Sequence, residues 1–232
     1  MNNSNQLSTF WAAVWAVVWK DLQIEKHTRQ TISVMIMFSL VSVIMFNFAL
    51  EANLAAAREV ATGLLWSTIL LAGTLGLNRS LAIERENQTM EAVLMAPIDR
   101  SAIYAGKVIS ISLFSLALEV VLIFIFIVFF NKPFWRPQVM LILVMGTIGY
   151  IAAGVIVTSM TIQTRTREVL LPVLLLPLSL PLVLPASIAV SAYMFPQLPD
   201  WGEVQGAISV VAIYDLLMLA AGFITYHYVV ES

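Results

Sequence analysis

The sequence predicts an all-α integral membrane protein, with six transmembrane helices in one bundle and a preceding helix in the plane of the membrane surface. Hydrophobic residues make up 60% of the chain and charged residues 11%, whereas soluble domains carry about 25% charged residues. Several apolar runs exceed the roughly 18 residues that distinguish a bilayer span from a buried core helix. Residues 1–232 are therefore expected to form a single membrane domain.

The first predicted element is a surface helix over residues 8–29. Its apolar part is about ten residues long, which is too short to cross a bilayer. Four residues share one helical face: Trp11, Trp15, Val18 and Leu22. A tryptophan-rich face followed by charged residues is typical of an interfacial helix. A signal peptide is the alternative, but no positive charge precedes the apolar run and no small-residue cleavage site follows it.

Six apolar runs are long enough to span the bilayer, and they cover residues 31–50, 60–83, 108–130, 139–162, 169–190 and 207–230. Basic residues flank these runs unequally. One side carries nine of them: Lys20, Lys26, Arg29, Arg79, Arg85, Arg100, Lys107, Arg165 and Arg167. The other side carries three: Arg58, Lys132 and Arg136. Because loops rich in basic residues stay in the cytoplasm, both termini and the longest polar stretch, residues 84–107, are predicted there.

The fifth span contains four prolines at intervals of four or five residues: Pro172, Pro177, Pro181 and Pro185. Each proline removes a backbone donor and pushes against the carbonyl four residues earlier. In lipid the freed carbonyls need partners from neighbouring helices, hydroxyls or water. This helix is therefore expected to be bent or broken and to face protein rather than lipid. A moving gate and a static kink are both compatible with the pattern.

Two carboxylates are predicted inside the membrane, Glu119 in the third span and Asp215 in the sixth. An acidic residue at mid-bilayer costs roughly 2.5–3.5 kcal/mol, so such residues usually face the bundle interior and mark a pathway. Both are candidates for a gate or a transport pathway. A structural hydrogen bond or a subunit contact is the alternative for each.

Neither a catalytic residue nor a metal site is predicted, and the chain is not expected to be an enzyme. The only Gly-Lys pair, Gly106 and Lys107, has Ser101 where a phosphate-binding loop requires its first glycine. Cysteine is absent, and the two histidines lack the spacing of metal ligands. A net charge of −2 gives no indication of a nucleic-acid partner.

Residues 84–107, termed here the coupling segment, contain a predicted short amphipathic helix over residues 89–95. Its apolar face comprises Met90, Val93 and Leu94, with Glu91 on the opposite side. Pro97 ends this helix, and Ser101 is predicted to cap the next one. An apolar face between charged ends suits docking into a groove on a soluble partner. A solvated loop is the alternative.

The coupling segment resembles that of type-2 ABC exporter permeases. The resemblance lies in Glu-Arg-Glu at 84–86, Thr-Met-Glu-Ala-Val-Leu at 89–94, Ala-Pro-Ile at 96–98 and the closing Gly-Lys at 106–107. The departures are Gln88 for the customary glycine and Met90 for leucine. Within that superfamily, the length, the six spans and the Leu-Pro-Leu-Ser-Leu-Pro-Leu run of the fifth span are similar to the CcmB family, over residues 15–230.

This resemblance implies a haem exporter protein B, a permease of the bacterial inner membrane that serves c-type cytochrome maturation. It implies a CcmA-like ATPase that binds ATP, CcmC-like and CcmD-like membrane subunits, and the haem chaperone CcmE. The complex would either export haem or use ATP to release haem-loaded CcmE. The residues that would contact the ATPase are Glu84, Arg85, Glu86, Thr89, Met90, Glu91, Val93, Leu94, Pro97 and Arg100.

Two other classes of transporter fit parts of the sequence. A type-2 exporter of a lipid, polysaccharide or drug would share the coupling segment. A secondary transporter that uses Glu119 and Asp215 as proton carriers is the other, but it predicts inverted repeats, which the sequence does not display, and it leaves the coupling segment unexplained.

Overall fold

The computed structural model describes residues 3–50, 54–86, 98–161, 167–194 and 201–231. This part of the chain folds almost entirely into helices, which confirms the predicted all-α class. In chain order they are α1 (Asn3–Thr28), α2 (Gln30–Leu50), α3 (Leu54–Glu86), α4 (Arg100–Phe130), α5 (Pro137–Thr161), α6 (Arg167–Ala192) and α7 (Trp201–Glu231). Six of them, α2 to α7, are long and apolar enough to cross a membrane.

The centre of the bundle is formed by α3 and α5. In each of these helices 67% of the spanning residues are buried, compared with 17% in α2 and 22% in α7. Packing of α5 against α3, α4, α6 and α7, and of α3 against α2, α4 and α6, surrounds this centre with the other spans. Large side chains fill the centre, among them Trp66, Tyr150 and Phe126.

The third predicted span, residues 108–130, lies within α4, which begins at Arg100, close to the start implied by the predicted cap at Ser101. Asp99 is its N-cap and accepts a hydrogen bond from the Ser101 backbone N–H at 2.9 Å. The Ser101 hydroxyl also donates to this carboxylate, at 2.7 Å. The prediction that Ser101 itself caps the helix is wrong. The last eight residues of the coupling segment therefore form the first two turns of α4.

The surface helix α1 is oriented differently from the prediction. Trp11 and Trp15 are exposed, by 60% and 62%, but Val18 is fully buried. Val18 packs with Val14 and Ala102 of α4, and Leu22 lies against this cluster. The tryptophans and Val18 therefore do not share one face. The tryptophans remain available to the membrane interface, where such amphipathic rings are favoured, while the valines attach α1 to the bundle.

A tight turn connects α1 to α2. Arg29 adopts the left-handed backbone conformation, with φ of 52°. This conformation folds the chain back so that the buried Glu25 carboxylate accepts hydrogen bonds from the backbone N–H groups of Ile32 at 2.9 Å and Thr31 at 3.2 Å. These N–H groups lack partners within the helix, and a carboxylate is favoured beside them by the helix dipole. Glu25 thus fixes the beginning of α2 to the end of α1.

The proline-bearing helix α6 is continuous from Arg167 to Ala192, so of the two expectations, bent or broken, a break is absent from this range. Hydroxyl groups contact its carbonyls near the prolines: Ser179 donates to Leu176 O at 2.8 Å, and Tyr214 of α7 donates to Leu178 O at 3.0 Å. One side of the helix packs against this chain, and Pro177 and Pro181 lie exposed on its surface.

The orientation predicted from the basic residues can be tested by labelling, since the chain contains no cysteine of its own. Asn131 lies exposed in the loop between α4 and α5, and His27 is exposed at the end of α1. In right-side-out vesicles, Asn131→Cys should react with an impermeant maleimide, and His27→Cys should react only after permeabilisation. The opposite pattern would reverse the predicted orientation.

Candidate functional site

Four charged side chains meet where α1, α3 and α4 come together, and they are termed here the ion cluster: Lys20, Asp21, Glu84 and Lys107. The Lys107 ammonium donates to Asp21 Oδ1 and Oδ2 at 3.1 and 3.0 Å. It also contacts Glu84 Oε1 at 2.5 Å. Lys20 contacts Asp21 Oδ1 at 2.9 Å and donates to the Glu84 carboxylate. Two ammonium groups thus face two carboxylates.

Burial makes these contacts obligatory. The side chains of Asp21, Glu84 and Lys107 are exposed by only 5%, 3% and 5%, and that of Lys20 by 23%. Burial opposes ionisation of Asp21, but the charge of Lys107, followed by that of Lys20, outweighs it and holds the pKa of the Asp21 carboxyl below its ordinary value. An uncompensated buried charge costs several kcal/mol, so the three buried members, Asp21, Glu84 and Lys107, require one another.

Gly106 allows α1 to approach α4 closely enough for these contacts. A Cβ atom at this position would lie 2.7 Å from Val17 Cβ and 3.1 Å from the carbonyl oxygen of Val14. Small residues permit such close approach of membrane helices. The adjacent Lys107 then extends from α4 to Asp21 on α1. The Gly-Lys pair that closes the coupling segment therefore combines a close helix contact with an ion pair.

The structure brings the two ends of the coupling segment together, because Glu84 and Lys107 are its first and last residues and they form an ion pair. Arg100 is the first residue of α4. Arg85 and Glu86 belong to α3, but their side chains lie outside the described part of the structure. The remaining predicted partner contacts are also outside the described residues: Thr89, Met90, Glu91, Val93, Leu94 and Pro97.

Tyr104, one turn before Lys107, connects α4 to the other side of the bundle. Its hydroxyl lies 3.2 Å from both the Ala152 carbonyl of α5 and the Met218 carbonyl of α7. Gly222 of α7 leaves room for the ring, since a Cβ there would lie 2.0 Å from Tyr104 Cζ. The same short stretch of α4 therefore contacts α1 and α3 through Lys107, and α5 and α7 through Tyr104.

Sequence reasoning missed Tyr104, Lys20, Asp21 and Lys107 as site residues, although Lys107 closes the coupling segment. The burial of Asp21 had a signal in the sequence. Asp21 follows Val14 and Val18 at helical spacing, so it continues the face of α1 that is buried in the structure. A carboxylate on a buried face needs a cation, but the sequence alone does not identify Lys107 as that cation.

The two intramembrane carboxylates do not meet. Glu119 is buried between α4 and α5, where it accepts a hydrogen bond from the Thr147 hydroxyl. Asp215 of α7 lies against Gly149, so closely that a Cβ there would be 1.8 Å from its Oδ1. Thr147 and Gly149 are two residues apart on α5, which places them about 200° apart around the helix axis. The two carboxylates therefore contact opposite sides of α5.

No cluster that could hold a metal ion appears within the described ranges, where groups of three or more His, Asp or Glu side chains are absent. The ion cluster contains no nucleophile paired with a base. Its oppositely charged side chains fix α1, α3 and α4 relative to one another.

The family model described as CcmB protein matches residues 12–223, which include both the ion cluster and the coupling segment. A search of curated proteins finds no match for the chain.

The close contact at Gly106 predicts a position-specific effect of the smallest possible substitution. Gly106→Ala should lower the free energy of unfolding by about 1–3 kcal/mol, because the new methyl group overlaps Val17. Gly63→Ala on α3 is the matched control, since a Cβ there meets no atom within 4 Å. Thermal unfolding in detergent measures both. Equal unfolding temperatures for the two variants would contradict the close packing of α1 on α4.

The Glu119–Thr147 contact predicts that ionisation of Glu119 is dispensable. Glu119→Gln should retain folded protein and activity within about twofold, because the amide oxygen can still accept the Thr147 hydrogen bond. Glu119→Ala leaves that buried hydroxyl without this acceptor, which should cost about 1–3 kcal/mol of stability. The measurements are the thermal unfolding midpoint and c-type cytochrome yield. A folded but inactive Glu119→Gln protein would instead support a pathway or gate.

Proposed function

Because the chain belongs to the CcmB family, permease subunits of the ABC transporter of cytochrome c maturation, we propose that it couples ATP hydrolysis in a separate subunit to movement of its own transmembrane helices. The partner is a CcmA-like ATPase, which binds ATP and docks on the coupling segment. The observation that carries the proposal is the ion pair between Glu84 and Lys107, which joins the two ends of that segment.

Because Glu84 and Lys107 join the two ends of the coupling segment, a force on this segment would act on α3 and α4 together. A free loop between α3 and α4 would absorb a displacement of its middle by changing its own conformation. With Glu84 and Lys107 in contact, a displacement of residues 89–95 acts on the cytoplasmic ends of both α3 and α4. Tyr104 extends the same path to α5 and α7. By binding only at the coupling segment, the ATPase would therefore tilt the whole bundle.

The family also suggests the remaining partners that we propose. They are CcmC-like and CcmD-like membrane subunits and the haem chaperone CcmE, in a bacterial inner membrane with both termini of this chain in the cytoplasm. We favour ATP-driven release of haem-loaded CcmE over passage of haem through this chain. In support, neither His27 nor His227 lies on the predicted outer side, and the sequence lacks a tryptophan-rich outer loop flanked by histidines. On this proposal haem is cargo of the complex as a whole, bound to CcmE, and does not pass through this chain.

The proposal predicts that a charge in the predicted amphipathic helix, residues 89–95, detaches the ATPase. Val93→Asp should reduce the ATPase that co-purifies with the chain by at least about tenfold, since a carboxylate in a desolvated groove lacks compensation. The yield of c-type cytochrome should fall with it. Glu86→Gln is the control, because Glu86 is expected to pair at the rim of the groove, where loss of an ion pair changes binding by only about 0–1 kcal/mol.

Both variants should insert into the membrane and unfold at the temperature of the unmodified chain. Normal co-purification and normal cytochrome yield with Val93→Asp would show that residues 89–95 do not form the coupling element.

A further inference from the structure

We infer that Lys107 is a positioning residue that locks the surface helix α1 to both ends of the coupling segment, so that α1 and the segment move as one body when the ATPase acts. The inference rests on the proposed function, to which it adds α1 as a moving part. It is carried by the geometry of the ion cluster.

The Lys107 ammonium has three N–H donors, and the cluster offers three acceptors to it. Two are the carboxylate oxygens of Asp21 on α1, and the third is Glu84 Oε1 on α3. Lys107 itself lies on α4. One side chain therefore satisfies its donors on two other helices. Glu84 of α3 also contacts two other helices, through Lys20 on α1 and Lys107 on α4, but every contact that the cluster makes to α4 passes through Lys107.

Lys20 has a different place in the cluster although its charge is the same. It contacts the same two carboxylates, but it lies on α1 beside Asp21, and it is exposed by 23% compared with 5% for Lys107. Its removal takes one charge from the cluster and leaves the contacts of α4 to α1 and α3 in place. Lys20 thus provides a matched control for Lys107.

The ion pair between Lys107 and Asp21 responds to a displacement of α1 differently from the apolar contacts between α1 and α4. Apolar side chains such as Val14 and Ala102 also join α1 to α4, but such contacts are non-directional and permit small shifts of one helix along the other. A shift that separated Lys107 from Asp21 would leave charges uncompensated in a buried site, which is strongly unfavourable. The ion pair therefore fixes the register of α1 on α4 while the bundle moves.

The first test uses the assembled complex in lipid nanodiscs, with Lys107→Met, Lys20→Met and Lys107→Arg. Lys107→Met should keep the ATPase bound within about twofold but lower c-type cytochrome yield at least tenfold. Lys20→Met should keep at least half of the yield. Lys107→Arg keeps a cation that can donate to both carboxylates, so it should recover yield relative to Lys107→Met.

Normal yield with Lys107→Met, or equal losses for Lys107→Met and Lys20→Met, would overturn the inference. Failure of the unmodified chain to retain the ATPase would count against the proposed function instead. Co-purification therefore separates the two claims.

The second test does not depend on the folding of a cluster variant. Spin labels at His27→Cys on α1 and Gln88→Cys in the coupling segment report the distance between the two, and labels at His27→Cys and Val169→Cys report the distance from α1 to α6. When a non-hydrolysable ATP analogue is added to the complex, the first distance should stay constant and the second should change. A change in the first distance as large as that in the second would overturn the inference.

Discussion

Burial of four charges at one end of the bundle is the constraint on which the arrangement of α1, α3 and α4 depends. Two carboxylates and two ammonium groups can leave water together only if each finds its counterpart. This requires the three helices to meet near Gly106, where α4 has no side chain to hold Val17 and the backbone of α1 away. Lipid supplies little hydrophobic force to bring helices together. Close packing at a glycine and satisfied charges thus take over the role that an apolar core has in a soluble protein.

The same constraint makes the beginning of α4 the point where most of the bundle converges. Within one turn, Lys107 contacts α1 and α3, while Tyr104 contacts α5 and α7. Deeper in the membrane the contacts are fewer and separate, as the positions of Glu119 and Asp215 on opposite sides of α5 show. Polar connections between helices are therefore densest at the end that carries the coupling segment, which is the end predicted to receive the ATPase.

The fold class and the six spans could be predicted because they depend on local composition and run length alone. The ion cluster could not, since Asp21 and Lys107 are 86 residues apart in the chain and nothing local shows that they pair. Likewise, Trp15 and Val18 resemble one apolar face in sequence, and only the packing against Ala102 separates them. Contacts between distant segments, rather than local propensity, account for these errors.

The uneven burial of the spans indicates where movement can occur. α3 and α5 are enclosed, so a shift within them would disturb close packing on several sides. α2 and α7 have most of their surface outside the chain, and α6 presents Pro177 and Pro181 there. α2 begins at the Glu25 cap, directly after α1. On the proposed mechanism, a displacement of α1 by the ion cluster would reach α2 through the turn at Arg29. α2 packs mainly against α3 and has the smallest buried share of the six spans, so it would be the least confined span to follow. The surface helix would then transmit motion from the coupling segment to α2.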